Sequence, residues 1–276
     1  MKSLAQARRA YAEQLARITE VADRRIVEAF AKVPREKFLS AGPWLLLGEG
    51  GYEPTSDNDP IRLYQDVVVA IDPVKGINNG EPSLHMRLLA ALAVQPGDRV
   101  LHIGTGTGYY TAILAELAGP RGQVAAVEFQ PELAERLQQN LAAYPSVQSV
   151  CGDGTTYDAG PVDAIYVNAG VTEPAPPWLD RLTDGGRLLS MLTARDNWGR
   201  VLRITRRGDA FEAQLLGRCG FIPCISSRDP GTEAALNGAF IRSDHDTVRS
   251  LRRDKHSRDE TCWLHSGRYC LSRRPA

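Results

Sequence analysis

The sequence predicts an α/β fold: a doubly wound, mostly parallel sheet with an antiparallel last strand, preceded by N-terminal helices and followed by a C-terminal extension. Three observations predict it. From Pro82 onward, short β-rich runs alternate with amphipathic stretches of about ten to fifteen residues, the pattern of βαβ units covered on both faces. A glycine loop, Gly104-Thr105-Gly106-Thr107-Gly108, stands where such a strand turns into a helix. The chain has 276 residues, 43% hydrophobic and 24% charged, which suits one large domain, or one domain with an appendage.

The elements follow in order. Leu4, Ala7, Tyr11, Leu15 and Ile18, then Ile26, Ala29, Phe30 and Val33, recur at helical spacing and predict two amphipathic helices, the second ended by Pro34. Gly48 to Pro60, GEGGYEPTSDNDP, is rich in Gly, Pro and Asp and reads as an irregular loop, either a surface connection or a lid. SLHMRLLAALA is a helix, and Gln95-Pro96-Gly97-Asp98 turns into the strand RVLHI. The helix YYTAILAELA, the strand QVAAVEF, the helix PELAERLQQNLAAY and the strands VQSVC and VDAIYVN come next. WLDRLTDGG precedes the strand RLLSML, and RVLRITRR and AFEAQLLGRCGFIP meet across Gly208-Asp209 as an antiparallel pair. Beyond Cys224 the mixed-charge run RSDHDTVRSLRRDKHSRDE and the alternation CWLHSGRYCLS predict a helix and then a final strand. The expected division is 1–60 for N-terminal helices and loop, 61–224 for the main domain, and 225–276 for an extension packed on it.

Thirty-three basic residues balance thirty-three acidic ones, so no global field favours a nucleic-acid backbone or an anionic membrane. No stretch approaches the ~20 apolar residues of a spanning helix, and the opening residues lack a signal-peptide core, so a cytoplasmic location is expected. Cys151, Cys219, Cys224, Cys262 and Cys270 are odd in number and form no CxxC pair, which argues against a disulfide framework and a zinc ribbon. Inert thiols are expected, with Cys219/Cys224 or Cys262/Cys270 as the alternative redox pair, and no metal site.

The glycine loop carries the chemistry. Its glycines let a ligand approach backbone at a helix N-terminus. Glu128 ends the next strand, 24 residues after Gly104 (128 − 104), where a carboxylate can accept both hydroxyls of a ribose. Asp153, in Cys151-Gly152-Asp153-Gly154, ends the following strand, where it can face an adenine amino group. All three stand at carboxyl ends of successive strands, where open α/β sheets bind ligands. Tyr109 and Tyr110 replace the spacing that a pyrophosphate needs, so a nucleoside without phosphates fits better.

These segments resemble the protein-L-isoaspartate O-methyltransferase family of class I, Rossmann-like methyltransferases, over roughly residues 20 to 224. DRRIVEAFAKVPREKF, LYQD, VLHIGTGTGYYTAILAEL, QVAAVEFQPELAERLQQNL, CGDGT, LDRLTDGGRLLSML and GFIP follow the family's order. The resemblance implies S-adenosyl-L-methionine as cofactor, held around His85, His102, Gly104, Thr105, Gly106, Thr107, Gly108, Tyr109, Glu128, Asp153 and Gly154. It implies a protein or peptide carboxylate as acceptor and a role in protein repair.

The chain departs from the family nearest the chemistry. The family's active-site serine, two residues before the proline matched by Pro82, falls on Gly80, and the acidic residue of the family's "VLEIG" is His102. Asp66, Asn79, Gly80 and Ser83 are the candidate catalytic positions, with Asn78, Asn79 or Ser83 able to supply the missing donor. An isoaspartyl carboxyl is already ionised at pH 7, so its methylation needs no general base. Three readings follow: an isoaspartyl carboxyl methyltransferase, an enzyme tailoring a carboxylate of a modified peptide or small molecule, and a non-catalytic nucleoside-binding homologue. A nucleic-acid methyltransferase is disfavoured because Val167-Asn168-Ala169-Gly170 stands where a base-binding motif would be.

Overall fold

The computed structural model describes residues 3–276. In chain order its elements are α1 (Leu4–Thr19), α2 (Arg24–Lys32), β1 (Leu45–Gly48), β2 (Gly51–Pro54), β3 (Ala70–Asp72), β4 (Ile77–Asn78), α3 (Pro82–Leu92), β5 (Arg99–Ile103), α4 (Tyr109–Ala118), β6 (Gln123–Glu128), α5 (Pro131–Asn140) and β7 (Val147–Cys151). They continue as β8 (Val162–Val171), α6 (Pro176–Arg181), β9 (Leu182–Thr193), β10 (Trp198–Arg207), β11 (Ala210–Gly220), α7 (Pro230–Ile241), β12 (Ser250–Arg252), β13 (Cys262–His265) and β14 (Cys270–Ser272). The contacts group these elements into two units. One holds the chain up to Asp98 with Thr105–Cys151, and the other holds Arg99–Gly104 with Gly152–Ala276.

In the first unit, α1 opens on a capping box in which Ser3 and Gln6 satisfy each other's backbone N–H groups, and Asp23 caps α2. Tyr11, Leu15, Ile26, Ala29, Phe30 and Val33 are buried, as their spacing predicts, whereas Ile18 is exposed. Pro82 and Pro131 stand in the first turns of α3 and α5, where their missing N–H costs nothing. β6 and β7 pair in parallel from Val124↔Val147 to Glu128↔Cys151. One expectation fails here. The Gly-rich stretch from Gly48 is not wholly irregular, because β1 and β2 pair antiparallel with Gly48 opposite Gly51. Gly51, at φ +111°, supplies the backbone that closes so tight a hairpin.

In the second unit the strand order is β5-β8-β9-β10-β11-β12-β14-β13. β5, β8 and β9 run parallel, with His102 opposite Tyr166 and Leu188 opposite Ile165, and these strands are almost wholly buried. From β9 onward every pair is antiparallel. β10 and β11 form the antiparallel pair expected, and β12, β14 and β13 extend the antiparallel wing beyond it. The C-terminal reading also needs correction: the helix is α7, upstream of the mixed-charge run, and that run folds into a short 3-10 turn and β12. CWLHSGRYCLS is not one strand but the hairpin β13-β14. Three-residue strands carry too little periodicity to be told from loops. Among the described residues no helix is long and apolar enough to cross a membrane.

Candidate functional site

The glycine loop folds as its sequence demands. Gly104, Gly106 and Gly108 all take positive φ, and at Gly106 (φ +56°) the reason is conformational alone, since a Cβ there would meet nothing nearer than 4.0 Å. Gly106 then donates its N–H to Glu128 Oε2 at 2.7 Å, while Gln130 N–H reaches Oε1 at 3.1 Å. Burial pushes the Glu128 carboxyl up, against the pull of the Gln130, Gly106 and Phe129 N–H groups. Thr105 Oγ1 is buried with no hydrogen-bond partner among the described residues. Thr107 is fixed through its carbonyl, which accepts Asn140 Nδ2 at 2.9 Å.

Tyr109, expected beside the cofactor, lies in an aromatic cluster. It is buried 5.8 Å from Phe38 and 6.3 Å from Phe30, ring centre to ring centre, as part of an aromatic cluster with Tyr110. His85 stacks on Tyr110 with ring centres 3.6 Å apart and planes 9° apart. Its Nε2 lies 2.2 Å from the point a Cβ on Gly80 would occupy, and Gly80 itself sits at φ +72°.

The remaining candidate catalytic residues of this unit gather at the start of α3. Asp66 accepts the Ser83 N–H at 2.8 Å and so satisfies a donor of the first helical turn. Ser83 is buried, its hydroxyl 3.5 Å from Arg87 Nη2. Asn79 Oδ1 accepts from Val69 N–H at 3.1 Å and from Arg35 Nη2 at 3.0 Å, which fixes the amide orientation, and Asn79 Nδ2 is buried without a partner among the described residues. Asn78 Oδ1 accepts the Gly80 N–H at 2.9 Å. Burial and the neighbouring Asp66 charge raise the Glu81 carboxyl.

Sequence reasoning passed over Arg35. It is fully buried and spreads its guanidinium over Leu63 O (2.8 Å), Gln65 O (3.2 Å), Val67 O (2.6 Å) and Asn79 Oδ1, so it positions the segment that bears Asp66. The PREKF motif marked the residue but not its acceptors, which are mostly main-chain oxygens.

In the second unit, Asp153 Oδ1 takes three donors: Ser226 Oγ at 2.6 Å, Thr155 N–H at 2.8 Å and Thr155 Oγ1 at 2.8 Å. Burial pushes this carboxyl up, but these bonds outweigh it and hold it below its ordinary range. Ser226 lies outside every segment that sequence reasoning tied to the site. The Gly154 carbonyl accepts Trp178 Nε1 at 2.8 Å, which pins the loop after Asp153. His102 is fully buried and stacks over Tyr166 at 5.1 Å, and burial brings its pKa down to about 3. Its ring is therefore neutral at neutral pH.

A sequence profile of the protein-L-isoaspartate(D-aspartate) O-methyltransferase family matches residues 50–229, well over half of the chain. This chain belongs to that family. The protein-L-isoaspartate O-methyltransferase of Methanoculleus marisnigri is 32% identical over 74% of this chain and 85% of its own length. The enzyme of that name from Brucella anthropi is 31% identical over 83% of this chain and 97% of its own length. Among solved structures, a protein-L-isoaspartate O-methyltransferase superposes with a TM-score of 0.65 at 24% identity, over 88% of this chain and 72% of the other. A beta-aspartate methyltransferase from Plasmodium falciparum, in complex with S-adenosyl-L-homocysteine, gives 0.64 at 19% over 79% and 97%. The fold is thus that of the Rossmann-like class I methyltransferases. The matched span includes both Gly80 and His102, and the chain continues beyond it from residue 230 to 276.

Proposed function

We propose that this chain is an S-adenosylmethionine-dependent carboxyl O-methyltransferase that acts on isoaspartyl carboxylates in proteins or peptides. The observation that carries the reading is the buried Glu128 carboxylate fixed by the Gly106 N–H within the family's own glycine loop. The raised carboxyl is one that a ribose diol would relieve, because two donated O–H bonds favour the charged form. The partnerless Thr105 hydroxyl in the same loop fits a ligand as well. On this reading Asp153, with Ser226 and Thr155 behind it, receives the adenine amino group, and the catalytic core spans 61–224 with 1–60 and 225–276 flanking it.

The cofactor supplies an electrophilic methyl group on a sulfonium. The chain's residues have no proton to remove, because the acceptor carboxylate is already ionised. Their work is to place one carboxylate oxygen in line and to exclude water, and positioning of this kind can supply ~7–11 kcal/mol. Asn79 Nδ2, buried and partnerless, is the donor proposed to hold the acceptor's second oxygen in place of the family's serine. Protein repair in the cytoplasm is the role this chemistry would serve, with a protein or peptide partner and neither nucleic acid nor membrane.

A second reading keeps the cofactor and changes the acceptor to a carboxylate of a modified peptide or small molecule. The packing of His85 against Gly80 favours it, since the serine's place is filled by a ring. Methyl-labelled cofactor with two peptides, differing only in an isoaspartyl or aspartyl linkage, separates the readings. Base-labile label on the isoaspartyl peptide alone supports repair chemistry. Label on neither, with cofactor binding established by calorimetry, sinks it in favour of the dedicated acceptor.

A further inference from the structure

The C-terminal extension brings four metal-ligating side chains together. Among the described residues, His256, Cys262, His265 and Cys270 each offer one ligand atom, and these atoms all lie within 4.8 Å of one another. We propose that they form a structural zinc site that fastens the extension, independent of the methyltransferase reading.

The β13-β14 hairpin presents three of the four. Its register steps from Cys262↔Ser272 to Leu264↔Leu271, two residues on β13 against one on β14. Strand side chains alternate faces, so Cys262 and His265, three apart, would point opposite ways in a regular strand, and the extra residue of the bulge brings them to one side. His265 stands directly across from Cys270. Trp263, in the bulge, turns the other way, buried with its Nε1 donating to Asp244 at 2.8 Å, and so anchors the hairpin. His256 arrives from the preceding loop, its ring edge-on to that of His265 at 4.8 Å.

The distances suit a tetrahedral ion. Zn–S bonds of ~2.3 Å and Zn–N bonds of ~2.0–2.1 Å imply ligand-to-ligand edges of about 3.3–3.8 Å. Cys262 Sγ lies 3.6 Å from His256 Nε2 and 3.8 Å from His265 Nδ1. Two of the surrounding bonds suit a metal, and a third, from the Cys262 thiol to Asp259 Oδ1 at 3.5 Å, is lost when the metal takes the proton's place. His256 Nδ1 lies 2.9 Å from the Asp254 carbonyl and 3.3 Å from its carboxylate, a partner that leaves Nε2 as the lone pair facing the sulfur. The Asp259 N–H points at Cys262 Sγ from 3.4 Å, where it would stabilise a thiolate. Two sulfurs and two imidazoles select zinc among the common divalent ions. Binding releases two thiol protons, and the resulting Zn(S⁻)₂(His)₂ unit is neutral, which suits Cys262 and Cys270, both buried.

The site also answers a structural need. Residues 253–261, RDKHSRDET, form neither helix nor strand and contain no apolar side chain to bury. A four-ligand site leaves no open position for catalysis and ties this loop to the hairpin instead. CxxC pairs are what a sequence scan for zinc looks for, and here the ligands are mixed as His-x5-Cys-x2-His-x4-Cys.

Tag-free full-length protein, purified from zinc-supplemented medium, should carry about one zinc per chain by mass-spectrometric metal analysis. Replacement of zinc by cobalt should give the intense visible bands of a tetrahedral site with sulfur ligands. Cys262→Ser and Cys270→Ser should lose the metal. His256→Asn, in the loop and outside the hairpin, should keep native circular dichroism and retain zinc at least about 10-fold more weakly. A chelator should lower the thermal midpoint of wild type and leave that of Cys262→Ser unmoved. The proposal is overturned if reduced wild type neither retains zinc nor takes up zinc or cobalt. It is equally overturned if intact mass shows a Cys262–Cys270 disulfide in protein purified without oxidant, or if His256→Asn binds zinc as tightly as wild type.

Discussion

His85 occupies the space that a side chain at Gly80 would need: its Nε2 stands 2.2 Å from the position of a Cβ there. Stacking on Tyr110 holds the ring in place, so the imidazole cannot simply swing aside. The two positions are one arrangement, in which a histidine from the first turn of α3 fills the volume that a side chain at position 80 would take. Gly80→Ser therefore has no room for its side chain. It adds a Cβ at φ +72° and against a packed ring, and should cost roughly 1–3 kcal/mol of stability by denaturant titration. Gly80→Ser combined with His85→Ala should recover part of that loss. A single variant as stable as wild type would show that the ring is not fixed.

Glu128 should affect binding and stability in different ways. Burial raises its carboxyl above the ordinary 4.5 despite three backbone N–H partners. A raised folded pKa means that the native chain holds this proton more tightly than the unfolded chain. The group's stabilising contribution is then complete below pH 4.5 and is lost as the pH rises through the folded value. Glu128→Gln does not ionise, so the stability difference between the two proteins should move in favour of the variant from pH 4.5 toward neutrality. Cofactor affinity should fall by about 1–3 kcal/mol at pH 7, roughly 5- to 150-fold, in a calorimetric titration. Unchanged affinity would remove Glu128 from the site.

What could be read from the sequence, and what could not, divides along physical lines. The Gly104–Gly108 loop and Glu128 stand at the ends of β5 and β6, whose apolar runs are plain, and Asp153 follows the short β7, so their place followed from local pattern. Arg35 was illegible because its acceptors are backbone oxygens 28 to 32 residues away, which no side-chain pattern records. Ser226 reaches Asp153 across 73 residues. His102 was expected beside the cofactor, and only the burial of β5 beside Tyr166 reveals a neutral core ring. The β1-β2 hairpin was hidden by glycines that serve its turn, and β12 to β14 by their brevity.

Ser226→Ala tests whether the chain beyond the antiparallel strands supports the proposed adenine end of the site. Burial pushes Asp153 up, but the Ser226 and Thr155 bonds win and hold it below the ordinary 3.8. A depressed folded pKa gives stability that is present above pH 3.8 and lost as the pH falls through the folded value. Removing the hydroxyl should raise the Asp153 pKa, measured by carboxyl NMR, and lower stability near neutrality by about 0.5 kcal/mol, because water replaces much of the bond at a half-exposed carboxylate. The difference from wild type should close at strongly acid pH. A gap that persists there would assign the effect to backbone disturbance and not to Asp153.

Arg35 gives the sharpest test of how the α3 end of the site is held. Its guanidinium is fully buried, and two of its nitrogens are shared among three main-chain carbonyls and Asn79 Oδ1. The arrangement depends on a planar fork that reaches several acceptors at once, which the single ammonium of lysine cannot copy. Arg35→Met takes the side-chain donor from Leu63 O and Val67 O, while Gln65 O keeps the Val67 N–H, and should cost about 3–5 kcal/mol. Arg35→Lys should recover only part of it. Asn79→Ala removes one acceptor and the proposed substrate donor but leaves the carbonyl contacts, so it should cost less stability than Arg35→Met while reducing turnover more than cofactor affinity. Equal stability losses for Arg35→Met and Asn79→Ala in urea would show that the carbonyl contacts contribute little, and that Asn79 is the residue Arg35 exists to hold.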